Sequence, residues 1–305
     1  MSHPDSSRPR VAAAVVTYRR PAELTRLLRS LAASETPLEG GVFVADNASD
    51  PAVRDLCGTR GARWLPRENN GPGPGWNTAA RVALHDSAVT HLLVLDDDVV
   101  PGAGTVGELL AALGGNGAAA PLLFDENDRL WAFPEPCEKR LRAAIRSVHS
   151  PSECLDLLGP EPHAFTWATG ACMLYTRSAF EEAGGFREDF WMLGEDLDLS
   201  MHVASSRGGV FTAAARVPHL PPSPADPAAT GQRRKFLALL QNLSYLSFHS
   251  PHSAHMRSYL AGNFKRYILT EGFSPSALLD AWRAFASGAL QARPAGARME
   301  GDPRP

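Results

Sequence analysis

Short apolar runs and helix-like spacings alternate along the first 125 residues. The apolar runs occupy residues 11–18, 41–45, 62–65, 91–95 and 118–124. After Pro21, leucines recur at positions 24, 27, 28 and 31, which is the spacing of one helix face. Further helical patterns follow at 79–84 and 105–113. Since continuous apolar runs are typical of strands buried on both faces, this alternation predicts a mostly parallel, doubly wound α/β sheet.

This alternation stops near residue 126. Residues 125–162 are rich in charge and proline and predict an insertion over one sheet edge, with a helix around 138–148. Residues 165–175 predict one strand, followed by a helix with Ser178 as N-cap, and 209–218 predict another strand. Amphipathic stretches at 236–248, 259–269 and 278–290 predict three helices that pack on the sheet or form a homodimer contact. Residues 1–10 and 293–305 are expected to be disordered.

Composition narrows the class of protein without deciding it. The 305 residues carry a net charge of −3 and are 44% hydrophobic, which is ordinary for a globular chain and gives no sign of a nucleic-acid partner. No apolar run resembles a signal peptide or reaches the length of a membrane span, so a cytoplasmic protein is expected. The four cysteines form no CxxC pair and are expected to be free thiols.

Three consecutive carboxylates end the fourth apolar run. Asp96, Asp97 and Asp98 are expected at the carboxyl edge of the sheet, where open α/β folds bind ligands. A hard divalent ion that holds a diphosphate would relieve their mutual repulsion. In an extended segment Asp96 and Asp98 share one face, so Asp97 is expected to have a different role. The alternative is a solvated acidic turn.

Other segments carry further candidate chemistry. Glu195, Asp196 and Asp198 form a second acidic cluster, which suggests an enzyme, or else an acidic first helical turn favoured by the helix dipole. The Gly/Pro-rich residues 67–77 predict a rigid loop at a helix N-terminus. Residues 221–235 predict a flexible lid whose cations, Arg233 and Arg234 among them, close over a diphosphate or merely start a solvated helix. Trp131, Trp167 and Trp191 suit either sugar stacking or core packing.

Six segments, in order and spacing, resemble family-2 glycosyltransferases with the GT-A fold: residues 16–21, 44–49, 69–77, 95–98, 184–186 and 194–198. Within that family the chain is most similar to the rhamnosyl- and galactofuranosyl-transferase group. The resemblance implies a Rossmann-like, mostly parallel sheet flanked by helices, with a helical C-terminal region. It also implies an inverting, metal-dependent transfer from a nucleotide-diphosphate sugar, UDP- or TDP-linked, to an acceptor hydroxyl.

The resemblance also implies roles for individual residues. Residues 11–126 would form the nucleotide-sugar-binding half, 127–220 the acceptor and catalytic half, and 236–292 the C-terminal helices. Asp196 would be the catalytic base, with Glu195 sharing the acceptor contact, and Trp191 and Trp167 would touch the acceptor or sugar. Asp98 and His219 would hold Mn²⁺ or Mg²⁺, a donor set that suits such ions. The nucleotide would be bound by Thr17, Tyr18, Arg20, Asp46, Asn70, Gly71, Asp96 and Asp97. Asp97, on the other face of its segment, would also touch the donor sugar.

Two other functions are weighed against this one. A sugar-nucleotide nucleotidyltransferase needs a glycine-rich basic loop after the first strand, whereas residues 17–21 contain no glycine. A nonenzymatic nucleotide-sugar-binding protein would have no use for both Asp98 and Asp196. The acceptor is expected to be a hydroxyl of a small molecule, a glycan or a lipid-linked intermediate, the last of these at the inner membrane face. The donor sugar, the base and the linkage are left open.

Overall fold

The computed structural model describes residues 8–220, 232–272 and 274–291. Its strands are β1 (Val11–Thr17), β2 (Val42–Asp46), β3 (Arg63–Pro66), β4 (His91–Asp96), β5 (Ala118–Phe124), β6 (Leu130–Ala132), β7 (Glu135–Pro136), β8 (His163–Trp167), β9 (Cys172–Thr176) and β10 (Gly209–Pro218). Its helices are α1 (Pro21–Ala32), α2 (Pro51–Arg60), α3 (Pro72–Leu84), α4 (Thr105–Leu113), α5 (Lys139–Ile145), α6 (Pro151–Leu158), α7 (Arg177–Ala183), α8 (Glu195–Arg207), α9 (Gln232–His249), α10 (Ser253–Glu271) and α11 (Pro275–Leu290).

One mixed sheet organises the described part of the chain. Its strand order is β3-β2-β1-β4-β9-β5-β10-β8-β7, with β6 paired to β5. Strands β1 to β4 run parallel, and β9 lies antiparallel between β4 and β5. Because β1 and β4 are adjacent and parallel, their carboxyl ends meet at one edge, with Val16 paired to Asp96. The predicted mostly parallel sheet with flanking helices is confirmed.

Both faces of the sheet are covered. Along β1, Ala12, Ala14 and Val16 point into one apolar cluster and Val11, Ala13 and Val15 point into the other. Helices α1, α2 and α4 contribute to the second cluster, and α3, α7 and α8 contribute to the first. Strand residues alternate between the two faces, so a strand that is apolar at every position requires helices on both sides.

The C-terminal helices form a separate layer. Apolar residues of α8 and α9 share one cluster, and α9, α10 and α11 share another. Helix α11 approaches α9 very closely, because a Cβ at Gly288 would lie 1.9 Å from the carbonyl oxygen of Gln241. No helix among the described residues is both long and apolar enough to cross a bilayer.

Several local predictions were wrong. The apolar run 165–175 is two strands, β8 and β9, which are not neighbours in the sheet and are separated by residues 168–171. Helix α7 has Thr176 as its N-cap, whose hydroxyl accepts from the Ala179 N–H, rather than Ser178. Helix α3 begins at Pro72, so most of the predicted Gly/Pro loop is helical. The insertion also contains α6, which the sequence pattern did not reveal.

Some predictions fall outside the described residues. These are the disorder expected of residues 1–10, of which 8–10 are described, the disorder expected of 293–305, and the main part of the lid at 221–231. The lid's last residues, 232–235, form the first turn of α9. Cys57, Cys137, Cys154 and Cys172 are free thiols, as predicted.

Candidate active site

A cavity of about 860 Å³ opens at the carboxyl edge of β1 and β4. Residues from both halves of the chain line it, including Thr17, Tyr18, Arg20, Asp96, Asp97, Asp98, Trp167, Glu195, Asp196 and His219. The structure therefore brings most of the predicted site residues into one cleft. The lining does not include Asp46, Asn70, Gly71, Trp191, Arg233 or Arg234.

Hydrogen bonds within the protein hold Asp97. The Thr17 hydroxyl donates to Asp97 Oδ2 at 2.6 Å, and Arg20 Nη1 donates to Asp97 Oδ1 at 3.1 Å. The same Arg20 nitrogen lies 3.0 Å from Asp98 Oδ2, so one guanidinium spans two of the three aspartates. Asp97 thus differs from its neighbours in partners, and its contact with a donor sugar stays a prediction.

Crowding of carboxylates makes this edge favourable for a cation. Burial raises the pKa of Asp97 to about 7, with Asp98 adding to the shift and Arg20 opposing it. Burial, followed by Asp98 and Asp97, holds the pKa of Asp96 well above its usual range. A cation bound beside these groups would offset both effects, since an opposite charge favours the ionised carboxylates.

Asp96, Asp98 and His219 fit a divalent metal ion. One ligand atom from each lies within 4.8 Å of the others. Asp98 Oδ1 is buried 3.3 Å from His219 Nε2 and has no hydrogen-bond partner among the described residues. Burial lowers the pKa of His219, which keeps the imidazole neutral and able to ligate. Two carboxylates and one imidazole suit Mn²⁺ or Mg²⁺.

Backbone contacts fix the position of His219 beyond the end of β10. Its N–H donates to the Phe124 carbonyl at 2.7 Å, and the next N–H, of Leu220, donates to the Asp98 carbonyl at 2.9 Å. Trp131 of β6 stacks on the His219 ring, with centroids 4.0 Å apart and planes 8° apart. The insertion at 125–162 therefore contributes one wall of the candidate metal site.

Asp196 lies at the start of α8, across the cleft. Its Oδ2 accepts from the Gly170 N–H at 2.9 Å, and its Oδ1 accepts from the Leu197 N–H at 2.8 Å. Burial raises the pKa of Asp196, and these backbone donors limit the rise. A Cβ at Gly170 would lie 2.7 Å from Asp196 Cβ, so glycine is required where the chain turns between β8 and β9.

The loop before α8 is held by the C-terminal layer. Leu193 and Gly194 both have left-handed backbone conformations, with φ of 67° and 102°. The buried amide of Asn242 on α9 donates to the Met192 carbonyl at 3.1 Å and to the Leu193 carbonyl at 2.7 Å. Since a left-handed non-glycine residue is strained, these bonds stabilise the turn that presents Glu195 and Asp196.

The buried carboxyl group of Glu195 is expected to make the free energy of unfolding decrease as the pH rises. Burial, with Asp196 second, raises its pKa to about 8, so its ionisation disfavours the folded state. The unfolded chain loses the proton near pH 4.5, and stability therefore falls as the pH rises from there to about 8. In EDTA, Glu195→Gln is expected to match the wild type at pH 4 and to exceed it by about 2–4 kcal/mol at pH 8.5. Thermal melts at both pH values test this, and an equal difference at both would contradict it.

Asp46 does not line the cleft, and its carboxylate forms hydrogen bonds within the protein instead. Its buried carboxylate accepts from the N–H groups of Ala48 and Asp50, at 2.9 and 2.7 Å, and from the Trp64 indole at 3.0 Å. These bonds organise the turn after β2. The base contact that the family resemblance implied for Asp46 stays a prediction.

Gly71 joins the two halves of the chain. Its φ is +100°, and a Cβ there would lie 2.0 Å from the Trp191 carbonyl oxygen. Its own carbonyl accepts from Asn47 Nδ2 at 3.0 Å. Asn47 lines the cleft together with Asn69 and Pro72, the neighbours of the predicted Asn70 and Gly71. The sequence pattern therefore located this loop but not the side chains that face the cavity.

Trp191 and the two predicted lid arginines lie outside the main cavity. The Arg234 guanidinium stacks 3.9 Å from the Trp191 ring centroid, and both line a second cavity of about 430 Å³. Arg233 pairs with Asp280 of α11 at 2.5 Å. The next cation, Lys235, lines the main cleft. At helical spacing only one of three consecutive cations faces a given side, and here it is Lys235.

Trp167 lines the cleft beside residues that sequence reasoning missed. Its ring lies 5.9 Å from Tyr259 and 6.4 Å from His255, measured between centroids. Tyr259 and His255, with Leu239, bring α9 and α10 into the cleft wall. No spacing signal linked these residues to Trp167, because helices far along the chain meet β8 only in the folded protein.

Comparisons with known proteins identify the class. The model of the family described as Glycosyl transferase family 2 matches residues 13–184, more than half of the chain. A relative from Mycobacterium tuberculosis, N-acetylglucosaminyl-diphospho-decaprenol L-rhamnosyltransferase, is 28% identical over 210 residues, which cover 60% of this chain and 67% of that protein. The chain belongs to glycosyl transferase family 2, and it is a glycosyltransferase.

Solved structures share the fold. Staphylococcus aureus TarS 1-349 in complex with UDP has a TM-score of 0.57 at 17% identity, covering 90% of this chain and 80% of that one. GalNAc-T7 with UDP, GalNAc and Mn²⁺ has a TM-score of 0.62 at 12% identity, covering 92% of this chain and 54% of that one. These similarities confirm the GT-A fold that the sequence motifs implied.

Proposed function

We propose that this glycosyltransferase is inverting and metal-dependent, and that it uses a UDP- or TDP-linked sugar. The observation that carries the proposal is the shared cleft, which is lined both by the Asp96, Asp98 and His219 cluster and by Asp196. The metal cluster lies at the sheet edge that binds ligands in open α/β folds, and Asp196 approaches from α8. UDP in the TarS and GalNAc-T7 structures favours a uridine nucleotide.

Asp96, Asp98 and His219 would hold the divalent ion, Mn²⁺ or Mg²⁺. Such an ion neutralises the charge of the donor's diphosphate and of the departing nucleotide. Arg20, which spans Asp97 and Asp98, would keep these two carboxylates in place beside the phosphates. Thr17 and Tyr18, at the end of β1 and in the loop after it, would contact the nucleotide.

Asp196 would act as the base. Its carboxylate takes the proton of the acceptor hydroxyl while that oxygen forms a bond to the anomeric carbon and the bond from that carbon to the phosphate oxygen breaks. Attack on the face opposite the leaving nucleoside diphosphate inverts the configuration. Glu195, with a pKa raised to about 8, is protonated at neutral pH and would donate a hydrogen bond to the acceptor.

The acceptor would occupy the aromatic end of the cleft. Trp167 and Tyr259 offer broad faces that suit the C–H surface of a sugar ring, and Trp131 lies near the metal cluster. We assign a lipid-linked hydroxyl acceptor reached at the inner membrane face, because the mycobacterial relative's name describes a diphospho-decaprenol acceptor. A homodimer and a cytoplasmic location stay predictions.

Calorimetric titration with UDP, GDP and TDP, each with Mn²⁺ and again with EDTA, tests the proposal. We expect UDP or TDP to bind in the low micromolar range with Mn²⁺ and at least about tenfold more weakly in EDTA. Equal affinity under both conditions would remove the metal from the proposed site. No binding of any nucleotide would contradict the proposed donor class.

A further inference from the structure

Helix α11 buries small residues and exposes large apolar ones. Its buried positions are occupied by small residues, namely Ala277, Ala281, Ala284 and Gly288. Leu278, Leu279, Trp282 and Leu290 are exposed instead, with Trp282 63% and Leu290 84% accessible. A surface helix ordinarily turns its large apolar residues toward the protein. The reversed arrangement leaves an apolar surface directed away from the fold.

Aromatic contacts join Trp282 of this surface to two further rings. Trp282 stacks on Phe285 with ring centroids 5.5 Å apart, and Phe285 meets Phe248 of α9 at 6.3 Å. Phe248 is also more than half exposed. We call this surface the outer apolar face; it consists of Phe248, Leu278, Leu279, Trp282, Phe285 and Leu290. Large apolar side chains grouped at the surface in this way are typical of interaction sites.

The net charge of the C-terminal helices favours a lipid surface over a second copy of the protein as the partner of this face. Residues 232–291 contain seven arginines and lysines and only two acidic residues, a net charge of +5, whereas the whole chain carries −3. The rest of the chain therefore carries −8. Both acidic side chains, Asp280 and Glu271, already lie within 4 Å of Arg233. Of these cations, Lys235 faces the cleft and Arg234 lies on Trp191. The exposed ones include Arg257, Lys265, Arg266 and Arg283. Their positive charge would attract anionic lipid headgroups and oppose pairing with a second copy of the same layer.

We infer that the outer apolar face docks this protein on an anionic lipid bilayer. Leucine and aromatic side chains that enter the headgroup boundary, on a layer with positive charge, are the combination that holds interfacial helices on membranes. The inference rests on the proposed function, because a lipid-linked acceptor is the reason for this protein to bind a bilayer. Its test uses neither donor nor acceptor.

Sedimentation with lipid vesicles tests the inference. Full-length protein is expected to bind phosphatidylcholine vesicles that contain phosphatidylglycerol, to bind pure phosphatidylcholine more weakly, and to be released by salt. The double variant Leu279→Gln/Trp282→Gln is expected to lower the partition coefficient roughly tenfold or more. Leu155→Gln on α6 is the matched control, since Leu155 and Leu279 are 43% and 47% exposed, and it is expected to bind as the wild type does.

A second measurement does not depend on the folding of the double variant. Brominated lipids are expected to quench tryptophan fluorescence in the wild type and to quench it less in Trp282→Phe, which keeps the apolar character. Failure of the wild type to bind anionic vesicles, or equal loss in the Leu155→Gln control, would overturn the inference. So would a dimer in analytical ultracentrifugation that the double variant converts to a monomer. Asp196→Asn is expected to bind vesicles normally, which separates this result from a failure of the proposed chemistry.

Discussion

Asp196→Asn lowers the turnover of glycosyl transfer by roughly 100- to 10,000-fold and leaves nucleotide binding unchanged; this is the result we expect first. An asparagine amide has nearly the same shape as the carboxylate but cannot take a proton from an acceptor hydroxyl. Asp196 begins α8 and is not a member of the Asp96, Asp98 and His219 cluster, so we expect binding of the donor's diphosphate not to depend on it. The measurement is release of nucleoside diphosphate from UDP- and TDP-sugars with an N-acetylglucosaminyl diphosphate lipid, beside calorimetry of the same variant.

Asp198→Asn is the matched control for that experiment. Asp198 is buried in the same first turn of α8, and its carboxylate lies 3.4 Å from His202 Nδ1. It does not line the main cleft, so we expect turnover within a few-fold of wild type even where the melting temperature falls. Wild-type turnover in Asp196→Asn, or equal losses in both variants, would contradict the assignment of the base.

Asp98→Asn has the second large expected effect, on metal-stimulated nucleotide binding. Asp98 Oδ1 is buried 3.3 Å from His219 Nε2, and asparagine would replace a charged ligand with a neutral one. The ratio of the dissociation constant in EDTA to that in Mn²⁺ is expected to fall from roughly 10 or more to about 1. Calorimetry with UDP or TDP gives that ratio directly.

Asp97→Asn separates the metal site from general damage at the sheet edge. The Asp97 carboxylate bonds to Thr17 and Arg20, and Asp97 is not a member of the metal-ligand cluster. Its variant is therefore expected to lose absolute affinity and to keep the wild-type ratio between EDTA and Mn²⁺. A preserved ratio in Asp98→Asn, or a ratio near 1 in Asp97→Asn, would remove Asp98 from the metal site.

Elements determined by residues close together in the sequence could be predicted, whereas features that depend on distant contacts could not. Strand β1 and helix α1 were predictable because a run of apolar residues and a leucine stripe are local signals. The run at 165–175 misled because it is almost continuously apolar, while its division into β8 and β9 depends on the contact of Gly170 with Asp196. That contact joins residues 26 positions apart and leaves no periodic signal.

In the candidate site, too, only the residues with a local sequence signal could be predicted. Asp96 and Asp98 could be predicted because they follow a buried strand, and the end of such a strand lies where ligands bind. Which cation faces the cleft could not be predicted, because the rotation of α9 that selects Lys235 is set by its packing against α11 and the loop at Trp191. Tyr259 was missed because its approach to Trp167 depends on the whole C-terminal layer.

The two walls of the cleft have different origins. One wall lies within residues 13–184, the segment that matches the family, and carries the aspartate cluster. Much of the other comes from α9 and α10, which supply Leu239, His255 and Tyr259. If the acceptor lies against α9 and α10 as proposed, changes in these helices are expected to alter acceptor preference while the strands that carry the aspartates stay constant. For an engineer, α9 and α10 are the place for a library of variants aimed at new acceptors, with Asn242 kept fixed because it secures the turn before Glu195.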